Sequence, residues 1–194
     1  MRLFVAADIS DDTRSAMRTA RAAIETALAA ATIPPRITWV KDDAAHVTLR
    51  FIGEVPEEAG QRVAAALAAP LPIAPFDVEW TEIGVFPPGR SGLRQPRALW
   101  LGAARGGDAL AALAAAVDAR LTPVVGAGEN RAHTPHLTLG RVKGHGKGVS
   151  WADVLAAARP AATRSRIDHA TLYRSQLSSR GPTYTALVRS PLAG

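Results

Sequence analysis

His46-Val47-Thr48-Leu49 and His136-Leu137-Thr138-Leu139 are two copies of one pattern, 90 residues apart in a chain of 194. Five His and 14 Thr spread over that length predict fewer than one His-x-Thr triplet by chance. An apolar residue between and a Leu after make coincidence remoter still. In a strand, residues i and i+2 share a face, roughly 6–7 Å apart along it. Each copy therefore sets a His and a Thr on one face and two aliphatic side chains on the other. A strand-borne pattern repeated at near half-length predicts an internal duplication, in which two lobes each offer one copy to a shared cleft.

The surrounding chain supplies strands and helices in groups. Residues 3–7 form a short apolar strand, and Ser10 followed by Asp11 and Asp12 opens a helix marked by Met17, Ala20, Ile24 and Leu28. Residues 37–40 and 46–52 read as strands, the second ended by Gly53. Pro56, Glu57 and Glu58 start a helix with Val63 and Leu67 on its buried stripe. Residues 76–86 alternate as a strand, and the breakers of 87–92 make a loop. A strand at 98–103, a helix carrying Leu110, Leu113, Val117 and Leu121, and a strand at 136–142 follow. Ser150-x-x-Asp153 reads as a capping box. Strands at about 167–174 and 183–189 close the chain. Helices interrupt groups of strands instead of alternating with them. This predicts an α+β fold with mostly antiparallel sheet, built as one bilobal domain over residues 1–194.

Two imidazoles facing one small anion suit acid–base chemistry on a phosphoester. With an ordinary pKa near ~6.5, a neutral and a protonated imidazole coexist around neutrality. One takes a proton from the attacking hydroxyl, and the other gives one to the leaving oxygen. The hydroxyls of Thr48 and Thr138 can donate to the non-bridging oxygens, where charge builds up. The scheme requires neither metal nor cofactor, and the residues alone leave open which His is the acid. His133 makes a His133-x-x-His136 spacing, but no carboxylate cluster accompanies it to make a metal site. No glycine-rich phosphate loop is present.

Composition agrees. The formal net charge is +6, and 20 of the 23 basic residues are Arg, a side chain whose donor fork matches phosphate. The same Arg and Ala richness also follows from a GC-rich genome. The absence of Cys removes disulfides and thiolate chemistry. The opening apolar run stops at Asp8, and the longest uncharged stretch contains Pro70, Pro72 and Pro75. Neither a signal peptide nor a membrane span is expected, and a cytoplasmic protein is.

Beyond the paired motifs, Arg2-Leu3-Phe4-Val5-Ala6, the run from His46 to Val55, Gly84-Val85-Phe86-Pro87, Leu99-Trp100-Leu101-Gly102, the run from Pro135 to Arg141 and Leu172-Tyr173-Arg174-Ser175 with Gly181 and Tyr184 occur in this order. Over nearly its whole length the chain thereby resembles the two-histidine (2H) phosphoesterases. Within them it is most similar to the RNA 2′,3′-cyclic phosphodiesterases, also called the 2′-5′ RNA ligase family. The resemblance implies a bilobal fold with a central cleft and hydrolysis of RNA 2′,3′-cyclic phosphate ends to 2′-phosphomonoesters. It implies His46 as donor to the departing 3′ oxygen, His136 as acceptor from water, and Thr48 and Thr138 as phosphate holders. It also implies Arg141 as a phosphate contact, although strict alternation turns Arg141 away from the His136 face.

Other residues carry weaker expectations. Arg50 shares the His46 face by alternation. Phe4 is either a base-stacking or a core residue. Arg90, Arg94 and Arg97 in one loop, and Arg141, Lys143 and Lys147 in another, are placed to follow an RNA backbone. His145 and His169 read as surface or structural. RNA ends are the expected partner, with no membrane and no protein partner. Three functions remain distinguishable by assay: cyclic phosphate hydrolysis, 2′-5′ ligation or cleavage of a smaller phosphoester, and RNA binding without catalysis.

Overall fold

A computed structural model describes residues 1–128, 134–178 and 181–194. In chain order the elements are β1 (Arg2–Ala7), α1 (Asp11–Leu28), β2 (Arg36–Trp39), β3 (Val47–Glu54), α2 (Glu57–Ala66), β4 (Phe76–Phe86), α3 (Gly89–Arg94), β5 (Ala98–Arg105), α4 (Gly107–Val125), β6 (His136–Gly144), α5 (Trp151–Ala157), β7 (Thr163–Ile167), β8 (His169–Ser178) and β9 (Gly181–Pro191). A 3-10 turn at Asp42–Ala44 precedes β3.

All the strands lie in one antiparallel sheet, ordered β7-β4-β5-β6-β3-β1-β8-β9, with β2 paired to β6 beside β3. Outward from the β6–β3 seam the two halves mirror each other. Each runs from a motif strand to the strand before it in its half, then through two more. The seam is narrow: Val47 opposite Leu137 is its registered pair, and both side chains are fully buried. The lobes expected from the repeat are therefore halves of a continuous sheet.

The apolar face of that sheet builds the core. Leu3, Val5, Val47, Leu99, Leu101 and Leu137 meet the stripes of α1 (Met17, Ala20, Ile24) and α4 (Leu110, Leu113, Val117, Leu121). The helices also bind the halves together. α1 follows β1 yet packs on α5 and β7, while α4 follows β5 yet packs on α2 and β3. No helix among the described residues is long and apolar enough to cross a membrane.

The local signals meet several corrections. Ser10 caps α1 as read, accepting from the Thr13 amide at 3.2 Å. Ser150 precedes α5 but makes no capping bond with its side chain. The 87–92 loop instead contains the short helix α3, after a cis Phe86–Pro87 bond. Gly53 does not end β3. It takes φ +85° where the β1 pairing slips, so the strand bends and continues. β7 escaped the sequence reading because its inward residue Ser165 is polar. Its hydroxyl is satisfied by Trp80 Nε1 at 3.1 Å and Thr13 Oγ1 at 2.9 Å, so a polar side chain occupies a core position.

Candidate active site

Each histidine is aimed by the carbonyl two residues before it. His46 Nδ1 lies 2.8 Å from the Ala44 carbonyl oxygen, and His136 Nδ1 lies 2.7 Å from that of Thr134. A carbonyl only accepts, so Nδ1 carries the proton in both rings. Nε2 is then the nitrogen that exchanges protons. At His46 it sits 3.2 Å from Thr48 Oγ1. The turn before His46 is held from α1: Arg14 donates to the carbonyls of Asp42 and Ala45, and Arg18 pairs with Asp42 at 2.8 Å. Each imidazole also rests against a phenyl ring, His46 on Phe4 at 4.7 Å and His136 on Phe86 at 4.9 Å between centroids.

All five residues expected at the site line one cavity of about 480 Å³: His46, Thr48, His136, Thr138 and Arg141. That volume is in the range of small-molecule sites. Arg2, Phe4, Lys41, Phe51 and Tyr184 join them, and none of the five α-helices among the described residues contributes. Arg141 arrives by a bulge. Pairing of β6 with β5 steps from Trp100↔Thr138 to Leu99↔Gly140, leaving Leu139 as the extra residue. One extra residue reverses the alternation, so Arg141 returns to the face of Thr138. β3 carries the same device. Its pairing with β1 steps from Ala6↔Thr48 to Val5↔Arg50, leaving Leu49 over. Phe51 thereby comes to the cavity in the position that Arg141 holds in the other half.

The β3 bulge also overturns the expectation for Arg50. Arg50 leaves the His46 face and is buried behind the sheet. It donates to the Asp118 carbonyl at 2.9 Å and to the Gly126 carbonyl, and pairs with the Asp118 carboxylate at 2.9 Å. Phe4 combines both readings, since it is buried and still lines the cavity. Arg90, Arg94, Arg97, Lys143 and Lys147 do not line it. His133 lies outside the described residues. Among the described residues no cluster of three or more His, Cys, Asp or Glu could hold a metal.

The electrostatics are uneven. Burial pushes the His46 imidazole below the ordinary value of 6.5, against the opposing pull of the Ala44 carbonyl and Asp8. Beside it sits a cluster the sequence reading did not assemble. Asp8 accepts from Tyr173 Oη at 2.6 Å, Thr171 Oγ1 at 2.9 Å and His169 Nε2 at 3.0 Å. Burial would raise the Asp8 carboxyl, yet these bonds and the His169 charge hold it at about 2. The bond to Asp8 raises His169 in turn, and burial with Asp8 lifts Tyr173 to about 12. The signal was positional: Asp8 is more than 160 residues from His169, Thr171 and Tyr173 and meets them through the β1–β8 pairing.

Mirrored halves of one antiparallel sheet, each bringing a His-x-Thr strand to a common cavity, define the architecture of a phosphoesterase with two histidines. A sequence profile of the 2′-5′ RNA ligase superfamily matches residues 9–178, and the chain belongs to that superfamily. A protein of Archaeoglobus fulgidus named RNA 2′,3′-cyclic phosphodiesterase is 30% identical over 189 residues, which are 96% of this chain and 98% of that protein. One of the same name from Methanothermobacter thermautotrophicus is 28% identical over 187 residues, 95% of each chain. Among solved structures, TT0787 of Thermus thermophilus superposes with a TM-score of 0.74 at 26% identity, covering 99% of this chain and 98% of its own. E. coli LigT gives 0.69 at 26% identity, covering 100% and 98%, and has also been solved with 3′-AMP and with phosphate.

Proposed function

We propose that the chain hydrolyses 2′,3′-cyclic phosphate ends of RNA to 2′-phosphomonoesters, using His46 and His136 as acid and base and no metal. The observation that carries this reading is the pair of carbonyl-held imidazoles, each turning Nε2 to proton exchange and both lining one cavity. Water attacks phosphorus while His136 Nε2 takes its proton. The bond from phosphorus to the 3′ oxygen breaks, and that oxygen takes the proton from His46 Nε2. Charge gathering on the non-bridging oxygens meets the hydroxyls of Thr48 and Thr138 and the guanidinium of Arg141. Burial disfavours the imidazolium that His46 needs as the acid. The substrate's own negative charge opposes that shift. The names of the curated relatives and the phosphate complex of LigT support the same substrate class. The family's description also names 2′-5′ ligation, which replaces water by an RNA hydroxyl in the same geometry. We assign the activity to the cytoplasm, with which a chain without cysteine is compatible.

The test is an oligoribonucleotide ending in a 2′,3′-cyclic phosphate, incubated with the protein in EDTA. The expected product is the 2′-monophosphate. Formation of the 3′-monophosphate would overturn the assigned leaving group. RNA binding by folded protein without turnover would replace the enzyme by a binding module.

A further inference from the structure

One end of the cavity is aromatic, with Arg2 over the Phe51 ring at 4.9 Å from its centroid. The other, toward β2 and the far end of β6, is cationic, and its charge does not stop at the rim. Lys41 and Arg141 line the cavity, and Arg36, Lys143 and Lys147 continue outward as exposed residues. One ladder holds them together: Thr38 pairs with Arg141, Arg36 with Gly144, and a further bridge joins Ile33 to Lys147. Thr38 lines the cavity, and Arg36 lies two residues before it on β2, outward from the rim. None of the five cations takes part in an ion pair among the described residues. From Arg141 to Lys147 the chain contains no acidic residue. Asp42 and Asp43 lie in the turn after Lys41, and Asp42 is held by Arg18 at 2.8 Å. Folding has left these charges without carboxylate partners among the described residues, in a row leading out of the site.

We propose that this β2–β6 edge is the track for the RNA backbone upstream of the reacting end, so that the protein prefers oligonucleotide ends to mononucleotides. The proposal rests on the cyclic phosphate reading above. At ~3.3 Å per strand residue, the three steps from Arg141 to Gly144 cover about 10 Å, and Lys147 lies beyond the turn at Gly146, so the row spans on the order of two to three nucleotides. Cations without carboxylate partners among the described residues attract phosphates without reading bases, so the preference is for length and not for sequence. The second basic segment, α3 and the turn after it with Arg90, Arg94 and Arg97, does not line the cavity.

The experiment compares a nucleoside 2′,3′-cyclic phosphate with oligoribonucleotides of increasing length that carry the same end. The expected kcat/KM rises over the first three or so added nucleotides and then levels off. At ~0.7 per neutralised phosphate, three contacts steepen the log–log salt dependence by about 2, an extra loss of roughly 15-fold between 50 and 200 mM salt. The triple variant Arg36→Ala/Lys143→Ala/Lys147→Ala abolishes both the length dependence and the added slope. The matched loss of charge in Arg90→Ala/Arg94→Ala/Arg97→Ala keeps both. Absence of wild-type turnover at every length would overturn the cyclic phosphate reading itself. Turnover with equal kcat/KM and equal salt slope at all lengths would overturn the track alone. So would transfer of the effect to the second triple variant. So would loss, in the first triple variant, of adsorption to phosphatidylserine-containing vesicles while the length dependence stays.

Discussion

His46 and His136 make the same backbone contact two residues back, and this fixes what each ring can do. The proton on Nδ1 is committed to a carbonyl, which leaves Nε2 as the nitrogen through which the proposed acid–base chemistry would run. A pH prediction follows for His46 as the acid. Its buried imidazole protonates less readily than an ordinary one, so in the free enzyme one limb of kcat/KM inflects below 6.5. Bound phosphate favours the imidazolium, so the same limb in kcat lies at higher pH. Profiles of both constants over one pH series test this, and a kcat limb below that of kcat/KM contradicts it. Arg50 sets a prediction of another kind. Arg50→Leu strands the carbonyls of Asp118 and Gly126 and removes the Asp118 ion pair. The expected loss is on the order of 3 kcal/mol in urea unfolding, and an unchanged midpoint would refute the strut.

At the scale of elements, paired bulges decide which side chains line the cavity. Both motif strands were legible from alternation through His-x-Thr. Beyond Thr48 and Thr138 the alternation fails, because Leu49 and Leu139 each add a residue that the sequence does not mark. That is why Arg50 was placed on the cavity face and Phe51 was missed, and why Arg141 needed a departure from regular pairing to reach the site. Gly140 belongs to the same device. A Cβ there would meet Ile37 Cγ2 and Trp39 Cε3 at 2.8 Å, so Gly140→Val is expected to push β2 from β6 and raise KM. An unaltered KM would show that β2 does not shape the site.

The β1–β8 pair carries the Asp8 cluster and with it a pH-dependent share of stability. His169 is raised, so its share is present below about 6.5 and lost as pH rises through the folded value. Asp8 is lowered, so its share is present above about 3.8 and lost as pH falls toward about 2. The two overlap in mildly acidic solution. His169→Gln should therefore lower Tm most near pH 5, with the difference from wild type shrinking above neutrality. From the Asp8 shift, Asp8→Asn costs about 2 kcal/mol at pH 6. A Tm difference for His169→Gln that grows with pH would contradict the assignment.

The whole molecule is two mirrored halves that do not stand apart. The C-terminal strands β8 and β9 complete the half begun by β1, and α1 and α4 each pack on elements of the opposite half. Thermal unfolding should accordingly be one transition, with calorimetric and van't Hoff enthalpies equal. Two resolved transitions would mean that the halves are independent. The repeat, the α+β class and the two histidines were readable because they depend on short spacing. The continuity of the sheet and the crossing of the helices were not, since strand order is set by contacts between distant residues.

The central claim is that the two halves act on one phosphate through His46 and His136 together. The most direct test compares kcat/KM on the cyclic phosphate oligonucleotide for wild type, His46→Ala, His136→Ala and the double variant. Each single variant should fall by about 10²–10⁴, and the double variant should fall little further, because both protons move in one reaction. A folded single variant with wild-type turnover would contradict the account.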